Sequence, residues 1–236
     1  MIYFAHRGYG AKYPENTLLA FDKAVSSGAL AVELDVHKTK DGKLVVIHDE
    51  NVKRTFNGSG LIKDMTLCQL KSLTCNNADY SDSKLCRIPT LSEVLELIGN
   101  YDITINIEIK TDIIHYENIE EDILKTIADY NLEDKIIISS FNFKSLEICR
   151  ALNSKIRLGV LFHTPHKDII EFAKKINAYS LHPYVKLVTS SLIDEGHKHN
   201  LKIYTYTVNS PSVASSLEEV NCDGIFTDDI KKFITI

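Results

Sequence analysis

Apolar residues recur along the chain in short runs rich in isoleucine, valine, tyrosine and phenylalanine, a pattern typical of buried β-strands. These runs predict eight strands, at about 2–6, 31–36, 103–109, 135–140, 157–162, 178–181, 202–206 and 223–226. Between most of them the apolar positions follow helical spacing, which predicts helices at 17–27, 91–99, 117–130, 143–152, 166–176, 189–200 and 211–218, with a short one near 229–234. Strands and helices therefore alternate along nearly the whole sequence.

This alternation predicts the fold class. Strands that alternate with helices form parallel sheets, because each helix carries the chain back to the start of the next strand. Eight such units in 236 residues match the size of a TIM (β/α)8 barrel. A doubly wound open sheet is the alternative, but no G-x-G-x-x-G motif follows the first strand. We therefore expect a single TIM barrel domain over residues 1–236.

The segment 38–43 interrupts the alternation, because it is too short to return as a helix and is followed by a further apolar run at 44–47. Its Asp41-Gly42 pair is a typical turn sequence, so the runs on either side are expected to form a β-hairpin. Folding about this turn places Asp35 opposite His48, to within about one residue of register. The hairpin therefore brings a histidine beside a carboxylate.

A second interruption spans residues 50–89, which are rich in Asn, Ser, Thr, Lys and Cys and have only weak periodicity. The sequence Asn57-Gly58-Ser59-Gly60 is typical of a loop. Segments of this length inside a compact domain are usually functional lids or small subdomains. We expect a small insertion after the second strand that covers the substrate.

Composition narrows the range of partners and compartments. The chain has 27 Lys and Arg against 32 Asp and Glu, a net charge of −5, which argues against nucleic acid as a partner. Its five cysteines are scattered and form no C-x-x-C pair, which argues against a disulfide framework or a zinc knuckle and favours a reducing compartment. Residues 1–8 do not resemble a signal peptide, and no run of about eighteen apolar residues occurs. We expect a cytoplasmic protein without a membrane span.

Charged side chains cluster at the predicted strand ends, where TIM barrels carry their active sites. Glu33 and Asp35 are two residues apart and therefore point to the same face of their strand, as do Glu108 and Lys110 on the next parallel strand. Three carboxylates at one barrel mouth repel one another unless a cation lies between them. Oxygen ligands suit Mg²⁺ or Ca²⁺ better than zinc, so the sequence predicts one divalent cation.

The same mouth carries positive and titratable side chains. Arg7 and Lys110, together with a hard cation, are suited to bind a phosphate group. His6 and His48 place two imidazoles near the cation, and an ordinary pKa of about 6.5 suits one to accept a proton while the other donates one. Taken singly, each of these residues is more often structural, and the carboxylates could be salt-bridge partners of Lys110. Their shared location favours a phosphodiesterase.

The order of the motifs closely resembles the glycerophosphodiester phosphodiesterase family over essentially the whole chain. The matching motifs are His6-Arg7-Gly8, Pro14-Glu15-Asn16-Thr17, Glu33-Leu34-Asp35-Val36, Thr39-Lys40-Asp41-Gly42, Val46-Ile47-His48-Asp49, Arg54-Thr55, Asn57-Gly58, Pro89-Thr90-Leu91, Asn106-Ile107-Glu108-Ile109-Lys110, Ser139-Ser140-Phe141, Thr205-Tyr206-Thr207-Val208-Asn209 and Asp223-Gly224-Ile225-Phe226-Thr227-Asp228. An ordered set of this kind is far more specific than any one tripeptide.

The resemblance implies a TIM barrel with a small insertion after the second strand. It implies that Glu33, Asp35 and Glu108 ligate the metal and that His6 and His48 are the acid and the base. It also implies that Arg7 and Lys110 hold phosphate oxygens, while Phe141 and Tyr206 are candidate walls of the substrate site. Tyr206 departs from the family, which commonly has Trp there, and this affects substrate preference more than chemistry.

The implied substrate is a small glycerophosphodiester such as glycerophosphocholine or glycerophosphoethanolamine, cut to glycerol 3-phosphate and an alcohol. In one route a glycerol hydroxyl attacks phosphorus and gives a cyclic phosphate that water opens, while the rival route is direct attack by water. Similarity to phospholipase-type barrels suggests His6 as the base. Two alternatives stay open, namely an enzyme that cleaves lysophospholipids and a non-catalytic barrel that binds phosphorylated ligands. The oligomeric state, the metal and the preferred head group are not predicted.

Overall fold

A computed structural model describes residues 1–234 of the chain. It contains nine strands: β1 (Ile2–Ala5), β2 (Ala31–Lys38), β3 (Leu44–Val46), β4 (Thr104–Ile109), β5 (Ile136–Ser140), β6 (Arg157–Phe162), β7 (Ser180–Pro183), β8 (Lys202–Thr205) and β9 (Gly224–Thr227). All of these lie within two or three residues of the predicted apolar runs.

The strands close into a barrel. Their order in the sheet is β1-β9-β8-β7-β6-β5-β4-β2-β3, and a further pairing of β1 with β2 completes the ring. Every pairing in the ring is parallel, and only the pairing of β3 with β2 is antiparallel. Eight parallel strands therefore form the barrel, and β3 lies outside the ring, paired with the last residues of β2. This confirms the predicted TIM barrel and rules out the open sheet.

Helices cover the outside of the ring: α1 (Leu18–Ser26), α2 (Leu67–Ser72), α3 (Leu91–Ile98), α4 (Ile119–Asp129), α5 (Phe143–Leu152), α6 (Ile169–Lys175), α7 (Ser190–Lys198) and α8 (Pro211–Glu219). Threonine hydroxyls cap the N-termini of several of them, and Thr90 of α3 forms a capping box with Glu93. The predicted helix near 229–234 is instead a single 3-10 turn, Ile230–Lys232.

The hairpin is confirmed, but its register is shifted by one residue from the predicted pairing of Asp35 with His48. Val36 pairs with Val46 and Lys38 with Leu44, so Asp35 lies opposite Ile47. The reason is the loop, which spans five residues and is closed by the Thr39 amide bonding to the Lys43 carbonyl. Its centre is therefore Asp41 itself rather than the Asp41-Gly42 bond.

Two apolar layers support the barrel mouth. Outward residues of the strands pack against the helices, and the fully buried Ile105, Ile107 and Ile109 of β4 are examples. Inside the ring, Phe4 and Phe226 stack at 4.6 Å and join Tyr204 in a small aromatic cluster. Side chains therefore fill the lower part of the barrel, and the polar residues above them rest on a packed floor.

Residues 50–89 leave the barrel between β3 and α3, where the sequence predicts an insertion. This segment holds α2 and four 3-10 turns, Val52–Arg54, Ile62–Asp64, Ala78–Tyr80 and Lys84–Cys86. Its buried apolar side chains form a cluster of their own with two residues of the hairpin: Val45, Ile47, Val52, Phe56, Ile62, Leu70, Cys75, Cys86 and Ile88. The insertion is therefore an ordered unit that packs against the edge of the sheet.

The structure also bears on the predictions about membrane spans and disulfides. None of the helices formed by residues 1–234 combines the length and the apolar character needed to cross a bilayer. All five cysteines are free thiols, and only Cys68 is exposed. The expected absence of a disulfide framework is consistent with this state of the thiols.

Candidate active site

Two neighbouring barrel strands bring three carboxylates together. Glu33 and Asp35 project from β2, and Glu108 projects from β4 in register opposite Asp35. Each residue is at most 9% exposed, and one oxygen of each lies within 4.8 Å of the others. The alternation of side chains along a strand is what points all three to the same interior. The predicted convergence of the carboxylates is thus what the structure contains.

Two positively charged side chains, Lys110 and Arg7, lie beside the carboxylate cluster. Lys110 Nζ lies 2.8 Å from Glu108 Oε1 and 4.0 Å from Asp35 Oδ1, and Arg7 Nε lies 3.5 Å from Asp35 Oδ2. Burial by itself opposes ionisation of Asp35, but Arg7 and Lys110 outweigh it and hold the pKa of this carboxyl well below its usual range. Asp35 is therefore an anion at neutral pH.

The other two carboxyls are compensated less completely by nearby positive charge. Burial raises the pKa of Glu33 well above its usual range, and the negative charge of Asp35 raises it further. Burial likewise raises the pKa of Glu108, against the opposing effect of Lys110. The protein's own cations therefore do not balance three negative charges at this place.

The donor set fits a hard divalent cation. Among residues 1–234, Glu33 Oε1 and Asp35 Oδ1 are buried oxygens without a hydrogen-bond partner. Buried polar atoms are almost always satisfied, so unpartnered carboxylate oxygens that face a common centre need an explanation. Carboxylate oxygens are the ligands that Mg²⁺ and Ca²⁺ prefer, and a dication would also supply the missing positive charge.

His6 follows β1 and is held by a carboxylate at the other end of the chain. Its Nδ1 lies 2.6 Å from Asp228 Oδ1, and the second oxygen of Asp228 accepts a hydrogen bond from Asn209 Nδ2 at 2.6 Å. The hydrogen bond from His6 lowers the pKa of Asp228 against the effect of burial, so this carboxylate is ionised and Nδ1 carries the proton. His6 Nε2 then faces the cluster, 3.9 Å from Glu33 Oε2.

His48 follows the hairpin and is held in the same way by the next residue. Its Nδ1 lies 2.6 Å from Asp49 Oδ1, and its Nε2 lies 3.5 Å from Lys110 Nζ. Burial lowers the pKa of the His48 ring, and Lys110 acts in the same direction. The ring is therefore neutral near pH 7, with its Nε2 lone pair directed to the barrel mouth. Both histidines present Nε2 to one space while an aspartate holds Nδ1.

The turn after β1 depends on a left-handed backbone. Arg7 and Gly8 have φ of 57° and 79°, and this turn lets the Arg7 amide donate to Glu33 Oε2 at 2.9 Å. The turn also presses Gly8 against helix α1, where an added Cβ would lie 2.7 Å from the carbonyl carbon of Ala20. Glycine at this position therefore lets the turn hold both Arg7 and one metal-ligand candidate.

We expect Gly8→Ala to reduce the free energy of unfolding by roughly 2–5 kcal/mol, because left-handed strain and overpacking act together. Gly28→Ala is the matched control, since Gly28 has φ of 91° but nothing within 4 Å of an added Cβ. Strain alone should cost that variant about 1–2 kcal/mol. Urea unfolding measures both values. Equal losses in the two variants would contradict the steric role of Ala20.

The site opens into a cavity of about 340 Å³. The polar side of this cavity is lined by His6, Arg7, Glu33, His48, Asn106 and Glu108. The opposite side is lined by Phe141, Leu161, Tyr184, Tyr206, Thr207 and Phe226. Asp35 and Lys110 are buried beside the polar side, in contact with Arg7 and Glu108. The structure thus brings all nine predicted site residues to one barrel mouth.

Tyr206 uses its hydroxyl and its ring for different purposes. The hydroxyl donates to the Phe162 carbonyl at 3.0 Å, which ties β8 to β6 across the mouth. The ring stands at 88° to the ring of Phe141, with the centroids 5.9 Å apart. The ring of Tyr206 therefore lines the cavity as an apolar surface, while its hydroxyl already has a hydrogen-bond partner in the Phe162 carbonyl.

The insertion does not line this cavity: its wall residues within 1–234 all come from outside residues 50–89. The insertion instead borders a neighbouring cavity of about 270 Å³, which it shares with the segment Gly10–Glu15. The walls of this second cavity combine polar residues such as Lys12, Glu15 and Arg54 with the rings of Tyr13 and Phe56. Substrate cover by the insertion stays a prediction.

Two residues of the site were missed by the sequence analysis as functional candidates, although both lie in its motifs. Asp49 follows His48 directly, and the adjacent pair was a usable signal. Asp228 is 222 residues from His6 along the chain. Only closure of the barrel by β1 and β9 brings these two together, and the local pattern contains no signal of that contact.

Comparison with known proteins agrees with this geometry. The model of the glycerophosphoryl diester phosphodiesterase family matches residues 6–232. The chain belongs to this family. The glycerophosphodiester phosphodiesterase of Caldanaerobacter subterraneus subsp. tengcongensis is 41% identical over 232 residues, which cover 98% of this chain and 96% of the relative. The Bacillus altitudinis protein of the same name is 40% identical, over 95% of this chain and 93% of its own.

Solved structures of the family superpose closely. An Oleispira antarctica phosphodiesterase in complex with the product sn-glycerol-3-phosphate matches with a TM-score of 0.89 and 28% identity, over 98% of this chain and 94% of that one. The glycerophosphodiester phosphodiesterase of Thermotoga maritima matches with a TM-score of 0.81 and 32% identity, over 99% and 96%. The predicted family and the prediction of an enzyme are confirmed.

Proposed function

We propose that the chain is a metal-dependent glycerophosphodiester phosphodiesterase, which cuts small diesters such as glycerophosphocholine or glycerophosphoethanolamine to glycerol 3-phosphate and an alcohol. The observation that carries this proposal is the arrangement of the mouth. Two imidazoles, each held at Nδ1 by an aspartate, present Nε2 to a space beside three buried carboxylates. This arrangement combines a cation site with an acid and a base.

The charges of the site are suited to an anionic diester. Arg7 and Lys110 are both largely buried, with side chains 18% and 7% exposed, and both lie at the edge of the carboxylate cluster. In our proposal they bind the nonbridging phosphate oxygens, where guanidinium and ammonium donors are strong partners. A low local dielectric strengthens these contacts as charge builds on phosphorus.

Glu33, Asp35 and Glu108 would hold the divalent cation, either Mg²⁺ or Ca²⁺. When bound, such a cation supplies Lewis-acid polarisation of a phosphate oxygen and lowers the pKa of a neighbouring hydroxyl. The product named in the Oleispira antarctica structure, sn-glycerol-3-phosphate, supports a small phosphorylated ligand at this kind of site.

The histidines would move the protons. One imidazole Nε2 takes the proton of the attacking hydroxyl, the bond from that oxygen to phosphorus forms, and the bond to the leaving alcohol breaks. The second imidazole protonates this alcohol. Where the nucleophile is the glycerol hydroxyl, water then opens the cyclic phosphate with the two imidazoles in exchanged roles, which gives glycerol 3-phosphate and restores both rings. Asp49 and Asp228 keep each Nδ1 protonated and each ring oriented while the charge on the ring changes. The imidazole that acts as acid must start with a proton on Nε2 as well as on Nδ1, so the neutral ring of His48 favours His48 as the first base.

The apolar wall would hold the organic part of the diester. Phe141 packs edge against face on Tyr206, Tyr184 packs against Tyr206 at a tilt of 46°, and these rings line the cavity opposite the phosphate site. A cavity of about 340 Å³ is at the lower end of the range for small-molecule sites. This favours a compact glycerophosphodiester over a ligand with a long acyl chain, which needs more space than this cavity offers.

The proposal is tested by incubating the protein and a divalent cation with glycerophosphocholine, glycerophosphoethanolamine or lysophosphatidylcholine and following phosphorus by NMR. We expect the first two to give glycerol 3-phosphate. A matched analogue that lacks the secondary hydroxyl, 3-hydroxypropyl phosphocholine, separates the two routes. The analogue stays intact if that hydroxyl is the nucleophile and is cleaved if water attacks directly.

Other outcomes would select another function. Cleavage of lysophosphatidylcholine alone would favour the lysophospholipid alternative, which is also the activity in the name of the human relative lysophospholipase D GDPD1, 33% identical over 161 residues. Binding of sn-glycerol 3-phosphate without cleavage of any diester would favour the non-catalytic barrel.

A further inference from the structure

Arg54 belongs to the insertion, yet its side chain lies between two residues of the site. Its Nε and Nη2 donate to Asp49 Oδ2 and Oδ1 at 2.6 and 3.0 Å. Its Nη1 and Nη2 donate to Glu15 Oε2 and Oε1 at 2.8 and 2.7 Å. One guanidinium therefore binds two carboxylates, each through both of its oxygens, which is the geometry that only arginine provides.

Each of these carboxylates is bonded in turn to a residue of the active site. Asp49 Oδ1 holds Nδ1 of His48 at 2.6 Å. Glu15 Oε1 accepts from Nη1 of Arg7 at 3.0 Å. Hydrogen bonds thus run without a gap from His48, through the alternating charges of Asp49, Arg54 and Glu15, to the arginine proposed to bind phosphate.

The insertion itself fixes the position of Arg54. The residue ends the 3-10 turn Val52–Arg54, in which Val52 is fully buried in the insertion's apolar cluster. The amide of Asn76 donates to the carbonyls of Lys53 and Arg54, both at 3.1 Å. Arg54 therefore starts from a braced backbone, although its side chain is 45% exposed.

We propose that Arg54 is a positioning residue of this active site, an inference that rests on the proposed function. Arg54 fixes Asp49 and thereby the ring of His48. It also fixes Glu15 and thereby the guanidinium of Arg7. An isolated exposed ion pair contributes little to the free energy of folding. A guanidinium that binds two carboxylates, each through both oxygens, does more, because it fixes the positions of both carboxylates. Small displacements of reacting groups lower the rate of a reaction strongly, so such fixed positions matter for catalysis. The insertion would thus act on hydrolysis without touching the substrate.

The test compares Arg54→Ala with Lys53→Ala, which removes an exposed cation from the same turn. For the metal-loaded full chain, we expect Arg54→Ala to lower kcat about 10- to 100-fold, because the ring of His48 loses its fixed support. Calorimetric titration with sn-glycerol 3-phosphate should show severalfold weaker binding, because Arg7 is also released. Lys53→Ala should match the wild type in both measurements. Thermal unfolding checks that each variant is folded.

A double-mutant cycle separates positioning from a general structural role. Asp49→Asn and Arg54→Ala together should be no slower than the slower single variant, because both break the same chain of contacts. Effects on kcat that multiply would overturn the inference. Arg54→Lys keeps the charge but cannot bridge both carboxylates, so it should recover less than half of the loss on a logarithmic scale. Full recovery would show that charge alone suffices and would also overturn it.

The two proposals fail in different ways. If the wild-type chain cleaves no glycerophosphodiester, the proposed function fails, while the binding of sn-glycerol 3-phosphate still reports on Arg7. If the wild type cleaves a diester and Arg54→Ala equals Lys53→Ala in both kcat and product binding, only the role of Arg54 is refuted.

Discussion

Replacing His48 with alanine is expected to lower kcat at least about a hundredfold, the usual contribution of a positioned acid or base. The physical reason is that the neutral ring, held at Nδ1 by Asp49, is one of two imidazoles that face the carboxylate cluster. Binding of the diester should change much less, because Arg7 and Lys110 remain. Steady-state kinetics on a glycerophosphodiester measures both parameters.

The matched control for this variant is His199→Ala. His199 directly follows helix α7 as its C-cap. The helix runs antiparallel to the strands, so His199 lies at the end of the barrel away from the mouth. Its ring is partly exposed and bonds only to Glu195 within the part of the chain that the structure describes. This variant should keep the wild-type rate. A near-normal kcat for His48→Ala, with the fold intact by circular dichroism, would remove His48 from the chemistry.

Removal of divalent cations is expected to abolish hydrolysis, with a loss of at least about a hundredfold, since a catalytic cation contributes several kcal/mol to the transition state. The structural reason is the uncompensated charge of the cluster, in which burial raises the pKa of Glu33 and Glu108. Excess chelator followed by addition of Mg²⁺ or Ca²⁺ tests this in one sample. Activity that persists in chelator would take the cation out of the mechanism.

Cation binding can also be measured without catalysis. Calorimetric titration with Mg²⁺ or Ca²⁺ should show one site, and Asp35→Asn should weaken that site severely, because Asp35 is the carboxylate held ionised by Arg7 and Lys110. Glu195→Gln, on the outer helix α7, is the control with an exposed carboxylate and should bind the cation as the wild type does. Equal affinities in the two variants would contradict the assignment of the site to this cluster.

The carboxylate cluster could be predicted because it depends on short-range rules. Two residues at positions i and i+2 of a strand share a face, and successive parallel strands end at the same edge. Glu33, Asp35 and Glu108 obey both rules, and their convergence is what the structure shows. The barrel fold could be predicted equally well, since the alternation of strands and helices extends over almost the whole chain.

The exact hairpin register and the long-range contacts of the site could not be predicted, because they depend on loop length and on distant parts of the chain. The hairpin register moved by one residue because the loop uses five residues, and the loop length is set by the bond between Thr39 and Lys43. The contact of His6 with Asp228 requires a closed ring, and the bridge through Arg54 requires the folded insertion. Long-range register and side-chain reach decide such contacts, and neither follows from periodicity.

The meeting of the first and the last strand has a consequence for biosynthesis. β1 has β2 as one neighbour but finds its other neighbour only when β9 is made, and the carboxylate that orients His6 belongs to the residue directly after β9. The carboxylates of β2 and β4 are made early, whereas His6 has no such partner until synthesis has reached Asp228. The His6 ring is thus oriented only after β9 has been made, and a fragment that stops ahead of β9 would have an unanchored imidazole.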